Sequence, residues 1–97
     1  MANWQKNSNN VVDASGTPGA ATINAVRGRV AIAVGAASVV VTNNLVTATS
    51  TVLASLETVN GALTTLLLVT PGAGTITITG NAAATSTAPK VSFVVFN

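Results

Sequence analysis

Residues 75–79 read TITIT, and this strict alternation constrains the fold more than any other stretch of the chain. Successive side chains of a β-strand point to opposite faces of a sheet, so the pattern predicts a strand with Ile76 and Ile78 facing inward and the threonines facing outward. Valine, isoleucine and threonine recur in other short runs, and these residues suit a pleated, half-buried surface. Further strands are predicted over residues 29–34, 38–42, 51–58, 63–69 and 91–96.

Turn residues separate these runs at intervals of roughly ten residues. Turns are predicted at residues 14–20, Asn43-Asn44, Asn60-Gly61 and residues 71–74. Asn-Gly is the strongest of these signals, because a type I′ hairpin turn requires positive φ at both central residues. No apolar stripe at helical spacing is sustained. We therefore predict an all-β chain, a single small antiparallel β-sandwich or jelly roll of about six to eight strands, occupying residues 11–97.

The first ten residues, MANWQKNSNN, are polar and rich in asparagine. We predict that residues 1–10 form a polar N-terminal docking arm that precedes the β-sandwich domain. Trp4 is suited to anchoring this arm, because tryptophan is enriched at the energetic centres of protein interfaces. Two positions for Trp4 stay open, one against a neighbouring subunit and one against the core of its own subunit. The arm has no apolar segment of the kind found in a signal peptide.

Charged side chains make up 6% of the chain, whereas hydrophobic residues make up 48%. A soluble domain ordinarily carries roughly 25% charged residues. A monomer with so few charges exposes large neutral and apolar areas, and such areas usually mark interfaces. We therefore expect an obligate homo-oligomer or a subunit of a larger assembly. No apolar stretch approaches the roughly 18 residues of a membrane-spanning helix, so we expect no membrane partner.

The chemistry-bearing residues are few. The chain has no histidine, cysteine or tyrosine, and its carboxylates are Asp13 and Glu57. Paired carboxylates act in glycosidases, but a sugar-binding cleft needs more aromatic residues than the 3% present in this chain. The basic residues are scattered rather than clustered on one face, which argues against a nucleic-acid partner. We predict a protein that is not an enzyme and has no cofactor and no metal site.

Two arginines stand out in the segment Arg27-Gly28-Arg29. Their guanidinium groups are either a clamp for a carboxylate on a neighbouring subunit or two solvent-facing side chains at the start of a strand. The alternation in residues 29–34 places Val30, Ile32 and Val34 on the inward face, so Arg29 is expected to point away from the core in both cases.

The last predicted strand, residues 91–96, is apolar on both faces. We expect Val91, Phe93 and Val95 to face the core, and Val94 and Phe96 to meet a neighbouring subunit. The predicted interface residues are therefore Trp4, Arg27, Arg29, Val94 and Phe96.

Residues 29–97 contain a series of short motifs in a fixed order. They read RVAIAVG, SVVVTN, VTATS, PGAGTITI, NAAAT and VSFVV, the first at residues 29–35 and the last at residues 91–95. This arrangement resembles a module of tailed-bacteriophage virion proteins, found especially at the C-termini of tail and head fibres. The resemblance implies a small β-sandwich that commonly trimerises and has no catalytic activity.

The resemblance has one departure, because the fibre module ends a long chain, whereas here only a short polar arm precedes it. We therefore expect a virion protein, most simply a capsid decoration, cement or minor head protein that binds itself and the major capsid protein or another virion protein. Two alternatives stay open: a tail- or head-fibre tip knob that binds a host-cell receptor, and a bacterial β-module with an unrelated binding function.

Overall fold

The computed structural model describes residues 11–58 and 61–96. These residues form eight strands, and none of them is helical. The strands are β1 (Val12–Asp13), β2 (Ala21–Thr22), β3 (Arg27–Ala31), β4 (Ser38–Thr42), β5 (Thr51–Leu56), β6 (Leu66–Gly72), β7 (Thr75–Gly80) and β8 (Lys90–Phe96). The predicted arm, residues 1–10 with Trp4, lies outside the described residues.

The strands form two four-stranded sheets that enclose the core between them. The first sheet has the order β1-β3-β8-β5, and the second has the order β2-β4-β7-β6. This confirms the predicted all-β sandwich and the predicted number of strands. The sheets are mixed rather than purely antiparallel, because β1 runs parallel to β3 and β2 runs parallel to β4. Between the two strands of each parallel pair the chain forms a strand of the opposite sheet. Parallel neighbours require a crossover connection of this kind.

Much of the core consists of strand residues that the alternation placed together on one face. Ile76 and Ile78 of β7 are fully buried, as are Val91, Phe93 and Val95 of β8. The same inward face continues onto the neighbouring strands through Val30, Val39 and Val41, together with loop residues such as Ile23 and Leu63. Each large aliphatic or aromatic side chain buried in this way contributes roughly 1.5–3 kcal/mol to the free energy of folding.

The prediction for residues 29–34 places this strand too far toward the C-terminus. The strand runs from Arg27 to Ala31, and Val34 lies beyond it with 54% of its surface exposed. Pairing with β8 stops here because the residue before Lys90 is Pro89, which accepts a bond from the Ile32 N–H but has no N–H to return. The prediction that Val34 faces inward is therefore wrong.

The predicted strand at residues 63–69 is also displaced, because β6 begins at Leu66 and includes Pro71 and Gly72, which were predicted to lie in a turn. The turn lies at Ala73-Gly74, where Gly74 has a φ of +77°. The predicted Asn60-Gly61 turn lies partly outside the described residues, since only Gly61 is described. The other strands match their predictions to within two residues.

Candidate interaction surfaces

One ionic cluster crosses the outer face of the first sheet. Arg29 of β3 donates from Nε to Glu57 Oε2 at 2.6 Å and from Nη1 to Asp13 Oδ2 at 3.2 Å. Asp13 belongs to edge strand β1, and Glu57 follows the opposite edge strand, β5. Ser92 of β8, between them, donates its hydroxyl to Glu57. The cluster therefore connects all four strands of this sheet.

Hydrogen bonds hold both carboxyl groups of this cluster in the ionised form. The pKa of Asp13 is lowered chiefly by the Ser15 hydroxyl and backbone N–H, with a further contribution from Arg29. The pKa of Glu57 is lowered first by the Ser92 hydroxyl and then by Arg29. The pKa of Arg29 is raised in turn, mainly by Glu57. Two carboxylates with lowered pKa values do not donate protons near neutral pH, so this arrangement is suited to an ion-pair network.

The two arginines have different environments. Arg29 turns away from the core, as predicted, but it is half-buried and bound by two carboxylates of its own chain. Neither sequence-based alternative described this internal pairing. Arg27 is exposed on the same outer face, directly opposite Val94 of β8. The participation of either arginine in an interface stays a prediction.

Val94 and Phe96 lie on the outer face of the first sheet, as the pattern of the last strand predicted. Val94 is half-buried and Phe96 is 51% exposed. Leu53 of β5 is directly opposite Val94 in the register and is 59% exposed. Phe96 is a diagonal neighbour of Leu53, within reach of an aromatic ring. We call Leu53, Val94 and Phe96 the outer patch; sequence reasoning missed Leu53, although its alternation with Val52 and Ala54 placed it outward.

The second sheet carries no charged side chain on any of its four strands. On its outer face Val40 lies opposite Thr77, which lies opposite Thr70. Val40 and Leu68 are 40% and 59% exposed. We call this surface the neutral face, and its residues are Ser38, Val40, Thr42, Leu68, Thr70, Thr75, Thr77 and Thr79. The sequence signal for it was available, because the charged residues are absent from positions 58–89 and from positions 30–56.

The predicted turn at Asn43-Asn44 has a structural role. Asn43 is fully buried, donates from Nδ2 to the carbonyl of Ala25 at 2.8 Å, and accepts a bond from the N–H of Leu45 at 2.9 Å. The backbone N–H of Asn44 is bound by the side chain of Asn24. The Asn43 amide therefore fastens the loop after β4 to the loop after β2 and is not presented to a partner.

Within residues 11–58 and 61–96, the surface has no ligand-sized pocket and no group of three or more acidic, histidine or cysteine side chains that would hold a metal ion. The described part of the chain also has no helix long and apolar enough to cross a membrane.

No protein-family model matches the chain, and no curated protein or solved structure was found to be similar to it.

Proposed function

We propose that this chain is a non-enzymatic structural protein of a bacteriophage particle, a capsid decoration, cement or minor head protein that forms a homotrimer and binds the capsid shell. The neutral face is the observation that carries this proposal. A protein can cover this face without burying an unpaired charge, which would cost several kcal/mol. Interface centres are depleted of charged residues in the same way.

The division of the surface between the two sheets supports separate uses. All charged side chains among the described residues lie on the first sheet or directly beside it: Asp13, Arg27, Arg29, Glu57 and Lys90. This leaves the second sheet to meet the shell through aliphatic and hydroxyl groups. A single contact of this kind is weak. An oligomer whose subunits all bind the shell gains avidity, because once one subunit is bound the others are held near their sites at a high effective concentration.

Binding to undecorated capsids tests the proposal. Purified protein mixed with such capsids is expected to bind saturably. The variant Thr77→Lys, which adds a charge at the centre of the neutral face, is expected to lose this binding while keeping the β circular dichroism signal. The matched control is Thr17→Lys, which adds the same charge on the exposed loop after β1 and is expected to bind normally.

Two outcomes would contradict the proposal. Failure of the unmodified protein to bind capsids, together with tight binding to host cells, would favour the fibre-tip knob. Equal capsid binding by Thr77→Lys and Thr17→Lys would show that the neutral face does not contact the capsid.

The predicted arm is tested separately. Deletion of residues 1–10 is expected to preserve the fold and weaken assembly.

A further inference from the structure

The two sheets have four edges, and three of them are protected against pairing with another strand. β1 and β2 contain two residues each, too few to template a partner strand. β6 is interrupted by a register shift between Leu66 and Leu68, and it contains Pro71. Bulges and prolines are the devices that natural edge strands use to prevent such pairing.

β5 has none of these devices. Its six residues pair with β8 without a register shift, from Thr51 opposite Phe96 to Leu56 opposite Val91. The strand contains no proline and no charged residue; the nearest charge, on Glu57, is already bound by Arg29. Among the described residues, no strand pairs with its outward edge.

The hydrogen-bonding groups on this free edge can be assigned. The N–H of Glu57 donates to the carbonyl of Lys90 in β8, at 2.8 Å. Bonded and non-bonded pairs alternate along an antiparallel ladder, so Ser55 and Leu53 also point their backbone groups at β8. The N–H and C=O groups of Val52, Ala54 and Leu56 therefore point outward. The same alternation applies to β6. The N–H of Asn43, just after β4, donates to the carbonyl of Gly74, just before β7, and the registers of β4 with β7 and of β7 with β6 then fix which backbone groups of β6 point away from β7. Pro71 is one of these outward positions, so its missing N–H blocks pairing with a further strand.

We infer that β5 pairs with β5 of a second copy of this chain, antiparallel and about a two-fold axis, so that the two first sheets join into one. With Ala54 opposite its own copy at the axis, Val52 faces Leu56 of the partner, and all the outward backbone groups are used in about six hydrogen bonds. The contact is isologous, since each copy contributes the same strand.

The side chains of β5 favour a second copy as the occupant. Val52, Ala54 and Leu56 pack against the core but are only half-buried, and none of the described strands pairs with β5 on its outward side. In the proposed pairing they extend each other's inward face. β5 and β6 contact each other at the same side of the sandwich, so exposed leucines flank this edge: Leu53 on the first sheet, and Leu67 and Leu68 on the second, at 66% and 59% exposure.

This contact rests on the self-association included in the proposed function, and it adds to a three-fold association rather than replacing it. Two trimers joined through β5 form a hexamer with D3 symmetry. The loss of the β5 contact therefore halves the mass, from six copies to three.

The test is the molar mass in solution, measured at micromolar concentration by light scattering. The protein is expected at the mass of six copies, and Ala54→Pro, which removes an outward N–H and spares the bonds to β8, is expected at the mass of three. A dimer that this variant reduces to a monomer would support the β5 contact and overturn the proposed homotrimer. Ser55→Pro removes an N–H that bonds to β8, and it is expected to abolish the fold instead.

Hydrogen exchange on the unmodified protein provides a second measurement that does not require the variant to fold. The amides of Val52, Ala54 and Leu56 are expected to be protected and to lose protection on dilution. The amide of Val69, which points outward from the protected edge β6, is expected to exchange rapidly at all concentrations.

A mass of three copies, an Ala54→Pro variant that is folded and unchanged in mass, or rapid exchange at all three β5 amides would overturn the β5 contact and leave the proposed function standing. A monomeric unmodified protein would overturn both the contact and the proposed homo-oligomer. Loss of capsid binding with an intact β5 contact would overturn the proposed function alone.

Discussion

Arg29 and Glu57 bind each other across an intervening strand. Arg29 belongs to β3 and Glu57 follows β5, while β8 lies between them, yet Nε and Oε2 are 2.6 Å apart. The bond is possible because the side chains lie on one outer face, and because Ser92 of β8, a small residue, lies beneath the bond and donates to the same carboxylate. Asp13 extends the network to the fourth strand.

The first prediction concerns Arg29. Arg29→Met is expected to lower the melting temperature, because it leaves two carboxylates without their shared cation. Arg27→Met removes the same charge from an exposed position on the same strand and is the matched control. Thermal denaturation at low and high salt measures the melting temperatures of both variants. Added salt is expected to reduce the difference between these two temperatures, because it screens exposed charges. Equal melting temperatures at low salt would show that the network contributes nothing to stability.

The second prediction concerns pH. Folding lowers the pKa values of Asp13 and Glu57, whose ordinary values are 3.8 and 4.5. A group with a lowered folded pKa binds protons more weakly in the folded state, so its stabilising contribution is complete above the ordinary pKa and is lost as pH falls through the folded one. Melting temperature is therefore expected to be level from pH 7 to about pH 5 and to fall below about pH 4. Glu57→Gln is expected to reduce this fall in melting temperature at low pH. A dependence of melting temperature on pH identical to that of the unmodified protein would contradict the prediction.

The third prediction concerns Gly28, which lies in β3 beneath the aromatic ring of Phe93. A Cβ at this position would lie 2.5 Å from the ring and 2.9 Å from Ile23. Gly28→Ala is expected to destabilise the protein by roughly 1–3 kcal/mol, because a well-packed core must shift to admit the methyl group. Gly16→Ala is the control, since nothing lies within 4 Å of the equivalent atom there. Chemical denaturation measures both, and similar midpoints for the two variants would be inconsistent with this packing.

The fourth prediction concerns Asn43. Asn43→Ala removes the amide that binds the carbonyl of Ala25 and the N–H of Leu45, so these backbone groups lose their partner. The expected loss is about 1–3 kcal/mol of unfolding free energy. Asn44→Ala is the control, because the Asn44 side chain is exposed and the bond at this residue is made by its backbone N–H. Unfolding in denaturant checks the pair, and a larger loss for Asn44→Ala would reverse the assignment.

Alternation was a reliable guide to which residues form strands and which face is inward. Ile76, Ile78 and Phe93 were all placed correctly from period-two patterning, because burial of one face is a property of the strand itself. Strand ends were less reliable. The sequence pattern predicts a turn at Pro71, but the residue is accommodated in β6 because its nitrogen points outward from an edge strand. Edge position is not visible in a local pattern.

The candidate surfaces also include some features that the sequence predicted and others that it did not. Val94 and Phe96 were placed outward from the sequence, and the scarcity of charge predicted a protein with neutral surface. The partners of Arg29 were not predicted, since they are 16 and 28 residues away along the chain and meet it only through the strand order.

The sequence by itself determined the all-β class, the inward faces of the strands and the low charge, because each depends on residue type and near neighbours. Only the tertiary structure decided that β1 and β2 lie parallel to their neighbours, that the charges gather on the first sheet, and that β5 is the unprotected edge. These features depend on which strands lie side by side. Strand order is set by the packing of the whole chain around one core, and a period-two pattern carries no information about it.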